Sequence, residues 1–348
     1  MKKYNVGIVG YGWVATAHIP AINATALGQV TAVCSSRKLD GAALSAQYGG
    51  PIRVYNDLDE MLANPEIHVV SLCGFPSQRL DQVRRAARAG KHLILEKPLC
   101  LSLKELRAMH QAVKRARVKT CVCFECRYAN QFQVIKTVLD NGLLGQVHYG
   151  EVDYYHGIGP WYAQFRWCRS KAEGGSSLLE AGCHALDALL MCMGSEVDEV
   201  MSYTSKSRNR LFAPYEYPST SVTILKFKNG AAGKCTSSID CLQPYYLHTH
   251  LVGSKGSLLD NKFHSTDLGT NKAAWSTLAM KPVDSGDVSD HPYQAQFTAF
   301  FDALARGREM PLTSLDDAVV SHEVVLAADC AAELGRPVKM DHLSKYAK

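Results

Sequence analysis

Short apolar runs and helix-period segments alternate along the first part of this chain. Residues 6–9 form an apolar run that enters a glycine turn, Gly10-Tyr11-Gly12, and leaves it as a helix. Residues 29–33, rich in β-branched side chains, read as a second strand. The pattern then predicts a helix over 39–48 and a short one over 56–62 with Asn56 as its cap. A buried strand follows over 68–74, then a helix over 78–89 that Gly90 stops. Residues 92–95 are a further strand and deliver Glu96-Lys97-Pro98. Strands alternating with helices imply a parallel sheet.

From Gly145 onward the rhythm changes. Residues 147–156 alternate as a strand, and a loop carries Trp161, Tyr162, Phe165 and Trp167. Gly174-Gly175 then opens a helix that runs to Met193. Strands recur at 222–228, 231–239 and 247–253, with hairpin signals at Lys228-Asn229-Gly230 and Gly253-Ser254-Lys255-Gly256. These predict an antiparallel sheet. Residues 262–290 are polar and rich in Gly, Ser and Asp, and read as a long surface loop or lid. Helices over 293–306 and 314–334 close the chain.

Chemistry enters at the glycine turn. Gly10 supplies a positive φ, Gly12 lets backbone N–H groups approach a pyrophosphate, and Ala15 lets the helix lie on the strand. This Gly-x-Gly-x-x-Ala turn is the fingerprint of a Rossmann dinucleotide-binding domain, with Gly10, Tyr11, Gly12, Trp13 and Val14 against the phosphates. NAD enzymes commonly place a carboxylate on the ribose 2′-hydroxyl at the tip of the second strand. Here the chain carries Cys34-Ser35-Ser36-Arg37-Lys38. Ser35, Ser36 and Arg37 suit a 2′-phosphate, so the expected cofactor is NAD(P), with the charge leaning to NADP. Asp40 is expected in the next helix. Glu96 and Lys97, at the carboxyl end of their strand, fall at the cofactor crevice by topology.

A chain of 348 residues exceeds what one core organises. Two domains are expected, 1–125 and 126–348, with the last helices packing back on the first. A net charge of +5 without a basic block argues against nucleic acid. No apolar stretch is long enough to cross a bilayer, and Met1-Lys2-Lys3 leaves no room for a signal peptide. The twelve cysteines read as reduced, buried thiols of a cytoplasmic protein. Cys121, Cys123 and Cys126 cluster, but no second pair at zinc-site spacing accompanies them, so they read as core and no metal is expected.

Three stretches carry a resemblance. They are Gly7-x-x-Gly10-x-Gly12-x-x-Ala15, Ala89-Gly90-Lys91-His92 leading to Glu96-Lys97-Pro98, and Gly174-Gly175 through Gly182-Cys183-His184-Ala185-Leu186-Asp187. Together they resemble the glucose–fructose oxidoreductase, inositol dehydrogenase and MocA (Gfo/Idh/MocA) family over nearly the whole chain. The resemblance implies a Rossmann domain, then an α/β domain with a large open, mostly antiparallel sheet through which copies form homodimers or homotetramers. It also implies hydride transfer between a nicotinamide cofactor and a secondary alcohol or ketone of a sugar, glycoside or polyol.

On this resemblance His184 is the acid–base group and Lys97 polarises the reacting oxygen. Glu180 stands where many members have a substrate-binding Asp, and Arg79 where many have His. Arg127 falls at a family position close to substrate. Tyr154, His156, Trp161, Tyr162 and Trp167 are expected to add substrate contacts, since aromatic planes suit the C–H face of a sugar ring. One alternative is an NAD-dependent glycosidase that oxidises, eliminates, hydrates and re-reduces with no net redox change. A ligand-sensing regulator is another, against which the pairing of Lys97 with His184 argues.

Overall fold

A computed structural model describes residues 3–269 and 273–347 and divides the chain into two units. The first comprises Met1–Glu125 with Asp287–Val319, the second Cys126–Gly286 with Val320–Lys348. Residues 287–319 therefore go with the first unit and not with the rest of 126–348.

The first unit is built on β1 (Tyr4–Val9), β2 (Gly28–Cys34), β3 (Arg53–Tyr55), β4 (Val69–Leu72), β5 (His92–Leu95) and β6 (Thr120–Val122). All pair in parallel, in the order β3-β2-β1-β4-β5-β6. The order reverses between β1 and β4, and open α/β sheets bind ligands at such a reversal, beyond the carboxyl ends of the strands. Helix Tyr293–Ala305 completes this core, with Phe301 stacked 5.9 Å from Tyr4 and Phe297 edge-on to His18 at 5.0 Å.

One cap differs from expectation. The short helix spans Leu58–Ala63, and Asp57 caps it by accepting the Glu60 N–H at 2.9 Å. Asn56 is held elsewhere, because its amide donates to the Ser35 carbonyl at 2.9 Å.

The second unit carries β7 (Val147–Tyr155), β8 (Val197–Ser205), β9 (Thr220–Phe227), β10 (Ala232–Ser238), β11 (Tyr246–Gly253), β12 (Gly256–Leu259), β13 (Lys262–Ser265), β14 (Ser276–Thr277) and β15 (Val338–Lys339). They form a nine-stranded sheet in the order β14-β13-β12-β11-β7-β10-β9-β8-β15. The expected antiparallel sheet is in fact mixed, because β7 and β10 pair in parallel. The chain leaves β7 through helix Cys183–Met193, which lies against both strands, before β8, β9 and β10 bring it back. Strand β8 escapes the pattern because its register shifts between Val197 and Glu199, which breaks the period of two.

The stretch 262–290 is more structured than a lid. β13 and β14 extend the sheet, and the N–H groups of Lys281 and Val283 bond Asn130 and Gln131 at 2.6 and 2.8 Å. Residues 270–272 of that stretch lie outside those described. Among the described residues, no helix is long and apolar enough to cross a membrane, and all twelve cysteines are free thiols.

Candidate active site

In the first unit the glycine turn fits a dinucleotide. Gly10 has φ +86°, and a Cβ there would lie 3.0 Å from the Gly74 nitrogen. At Gly12 the space a Cβ would fill is open. The following helix, Ala15–Asn23, has no side-chain cap at Val14 and no acidic residue in its first turn. The positive end of this helix thus meets an anion with no carboxylate competing for it. Ala15 is buried, while Trp13 is 40% exposed.

At the tip of β2, Ser35 is buried and its hydroxyl accepts the Arg37 N–H at 3.1 Å, whereas Ser36 and Arg37 are exposed. The Arg37 guanidinium lies 5.9 Å from the centroid of the Tyr11 ring, and the Tyr11 hydroxyl is fixed by that of Tyr48 at 2.9 Å. Asp40 proves to be the cap of helix Gly41–Tyr48, its carboxylate accepting from Ala42 and Ala43.

Glu96 was expected to face the cofactor, and it is buried in a polar network. Its Oε1 accepts from His18 Nε2 at 2.9 Å and from the Tyr293 hydroxyl at 3.0 Å, and its Oε2 accepts the Lys97 N–H at 3.1 Å. His18 Nδ1 lies 2.9 Å from the Ser71 hydroxyl. Arg79, also buried, donates to the carbonyls of Glu96 and Gly74. The Glu96-Lys97-Pro98 turn is therefore clamped at side chain and backbone, and its Lys97–Pro98 bond is cis.

The His18–Glu96 pair is a buried ion pair. Burial opposes the imidazolium, but contacts with Cys73 and Glu96 outweigh it and push the His18 pKa from its ordinary 6.5 to about 10. Burial likewise opposes the Glu96 carboxylate, but His18, Lys97 and Arg79 pull it from 4.5 down to about 2. A raised histidine stabilises the fold fully below 6.5 and loses that contribution as pH climbs toward 10. A depressed carboxylate stabilises fully above 4.5 and loses it as pH falls toward 2. The pair's contribution is thus greatest between pH 4.5 and 6.5. Urea unfolding across a pH series should show stability falling above pH 6.5 in the native protein, and a flatter profile there in His18→Gln. An equal slope in both would remove His18 as the source.

Sequence patterns did not mark Glu125 and His291, which face each other at 3.2 Å in the same unit. Burial and Glu96 raise Glu125 to about 8, and burial lowers His291 to about 4, so near neutrality this is a pair of mostly uncharged groups.

In the second unit the helix expected from Gly174 starts later. Gly175, at φ +72°, ends a short turn over Lys171–Gly174, and a π-turn over Leu178–Gly182 precedes helix Cys183–Met193. Such wide turns recur at functional sites. This one carries Glu180, and His184 follows in the first turn of the helix; both are buried.

Arg127 does not stand as an open substrate ligand. Its Nε and one terminal nitrogen grip both Asp187 oxygens at 2.6 and 2.7 Å, and the Ser321 hydroxyl adds a bond to Asp187 at 2.6 Å. Tyr154, His156 and Tyr162 do come together. His156 Nδ1 lies 3.0 Å from the Tyr154 hydroxyl and Nε2 2.9 Å from that of Tyr162. Tyr245, unmarked in sequence, sets its ring edge-on to both Tyr154 and His156. Trp161 stands apart, 55% exposed and edge-on to Phe212, and Trp167 is half-buried.

Among the described residues, two clusters of ligand-type side chains, His18–Glu96–Cys123 and Glu151–Asp153–His248, lie within single units. Each already holds a cation of the chain. His18 serves Glu96, and the Lys234 ammonium lies 2.5 and 2.9 Å from Glu151 and Asp153.

Residues 4–124 match the model of an oxidoreductase family with an NAD-binding Rossmann fold, and residues 132–259 match the Gfo/Idh/MocA C-terminal domain. The chain belongs to the Gfo/Idh/MocA family and is an NAD-binding oxidoreductase. It is 26% identical to scyllo-inositol 2-dehydrogenase (NAD(+)) of Bacillus subtilis over 90% of each chain. It is 24% identical to D-glucoside 3-dehydrogenase of Escherichia coli over 96% of this chain and 97% of that one. Its fold is similar to the crystal structure of Lactobacillus casei scyllo-inositol dehydrogenase with bound NAD(H) and scyllo-inositol. The TM-score there is 0.81 at 18% identity, covering 98% of this chain and 100% of that one.

Proposed function

We propose that this protein is a dehydrogenase that oxidises a secondary alcohol of a cyclic polyol or glycoside. The observation that carries the reading is the burial of Glu180 and His184 together on one π-turned helix start, beside the Tyr154–His156–Tyr162 group. The relatives named for inositol and glucoside oxidation support the substrate class. Bound nicotinamide supplies the hydride acceptor. His184 takes the hydroxyl proton, Lys97 donates a hydrogen bond to the oxygen as it gains charge, and Glu180 anchors a neighbouring hydroxyl.

The β2 tip supports a cofactor with a 2′-phosphate, because Asp40 is engaged as a cap and Arg37 is exposed. Copies associate through the open sheet face, where Tyr203 and Ile224 are 64% and 51% exposed; a monomer in sedimentation equilibrium would count against this.

The test is a panel of inositols, sugars and aryl glycosides with NAD+ and NADP+, following cofactor absorbance and aglycone together. Stoichiometric NAD(P)H is expected, and Arg37→Ala should weaken NADP+ more than NAD+. Equal loss for both cofactors removes the 2′-phosphate reading. Aglycone release without net NAD(P)H, with deuterium from heavy water entering beside the reacting carbon, replaces the dehydrogenase by a glycosidase.

A further inference from the structure

Oxidation of an alcohol hands hydride to the cofactor and leaves a proton on His184, a buried residue. That proton must reach water before the next turnover.

We propose that Tyr154, His156 and Tyr162 form a proton relay from the Glu180–His184 helix to solvent; the proposal rests on the dehydrogenase reading above. All five residues belong to the second unit. The two outer links are short: Tyr154 hydroxyl to His156 Nδ1 at 3.0 Å, and His156 Nε2 to the Tyr162 hydroxyl at 2.9 Å. Tyr154 and His156 are buried, while Tyr162 is half-buried beside exposed Trp161 and Ala163. The chain thus runs from interior to edge.

The imidazole is held in place by its surroundings. Tyr245 sets its ring 5.0 Å from that of His156 and 5.2 Å from that of Tyr154. Gly286 seats its backbone over the ring, where a Cβ would come within 2.4 Å of Cε1. A ring so enclosed keeps both nitrogens aimed at the two phenols.

At the inner end, burial and the Glu180 carboxylate raise the Tyr154 hydroxyl well above its ordinary value. Tyr154 therefore remains a protonated phenol that can give one proton while receiving another. In the outward direction His184 returns its proton to Glu180, and Glu180 passes it to the Tyr154 oxygen. Tyr154 gives its own hydroxyl proton to His156 Nδ1. Nε2 gives its proton to the Tyr162 oxygen, and Tyr162 releases one to water. One proton enters, one leaves, and no oxidant or reductant is consumed beyond the cofactor of the main reaction. Reduction of a ketone runs the same path inward.

The experiment uses Tyr162→Phe, which removes the outer hydroxyl and keeps the ring, and Tyr154→Phe, which breaks the inner link. With NAD+ and the best substrate of the panel, each variant should lose about tenfold in kcat. Each should show a larger solvent deuterium isotope effect than the wild type and recover in added imidazole buffer. A packing defect gives no buffer rescue. Nitrogen NMR of histidine-labelled, ligand-free protein supplies a readout without turnover. His156 should be a neutral ring with one N–H at pH 7, and its nitrogen shifts should move in Tyr162→Phe.

Wild-type kcat and isotope effect in Tyr162→Phe overturn the relay and leave the dehydrogenase standing. Loss of kcat without buffer rescue, or a His156 imidazolium, also overturns the relay. A wild-type enzyme that reduces no cofactor with any substrate overturns the dehydrogenase reading itself.

Discussion

Replacing His184 with alanine lowers kcat by about two to four orders of magnitude, the usual worth of an acid–base group, and leaves NAD+ binding intact. The expectation follows from where the ring sits. His184 is buried in the first turn of helix Cys183–Met193, directly after a π-turn that carries Glu180. An imidazole there can take a hydroxyl proton in oxidation and return it in reduction, because its ordinary titration lies near neutrality. The NAD-binding Rossmann fold spans residues 4–124, in the other unit, so the two properties should separate. Steady-state NADH formation gives the first and fluorescence titration with NAD+ the second. Near-native turnover in His184→Ala would transfer the role to a tyrosine of the second unit.

Much of the first unit was legible because its signals are local. The glycine turn, the uncapped helix behind it and the stop at Gly90 each lie within a few residues of what they determine. His184 and Lys97 were singled out on a family pattern, and their roles stand as part of the proposed function. What escaped depends on residues far apart in the chain. Glu96 looks like a crevice residue until His18 and Tyr293, 78 and 197 positions away, are seen to hold its carboxylate. The parallel pairing of β7 with β10 follows from a crossover helix whose effect on strand direction no short window contains. Asn56 and Asp57 are adjacent cap-type residues, and only the Ser35 carbonyl decides between them.

Arg127 shows the same limit and yields the largest stability effect expected. Its neighbourhood read as a substrate contact, but its guanidinium meets the carboxylate of Asp187, 60 positions on, in a two-pronged grip at 2.6 and 2.7 Å. Their side chains are only 9% and 1% exposed. Of the two polar residues of the Gly-x-His-x-x-Asp pattern, Asp187 thus ties the segment at Arg127 to the helix, while His184 carries the chemistry in the proposed function. Asp187→Ala leaves a buried cation without its partner and takes an acceptor from Ser321, so it should cost about 3–5 kcal/mol. For a unit of this size that is roughly 10 °C in Tm. The double variant Arg127→Met with Asp187→Leu removes both charges and keeps apolar volume, so it should recover most of the loss. Thermal unfolding of the two variants beside the wild type decides the matter. If Asp187→Ala melts with the wild type, the pair is no tie. If the double variant melts as low as the single one, the loss comes from packing around Asp187 and not from a stranded Arg127 charge.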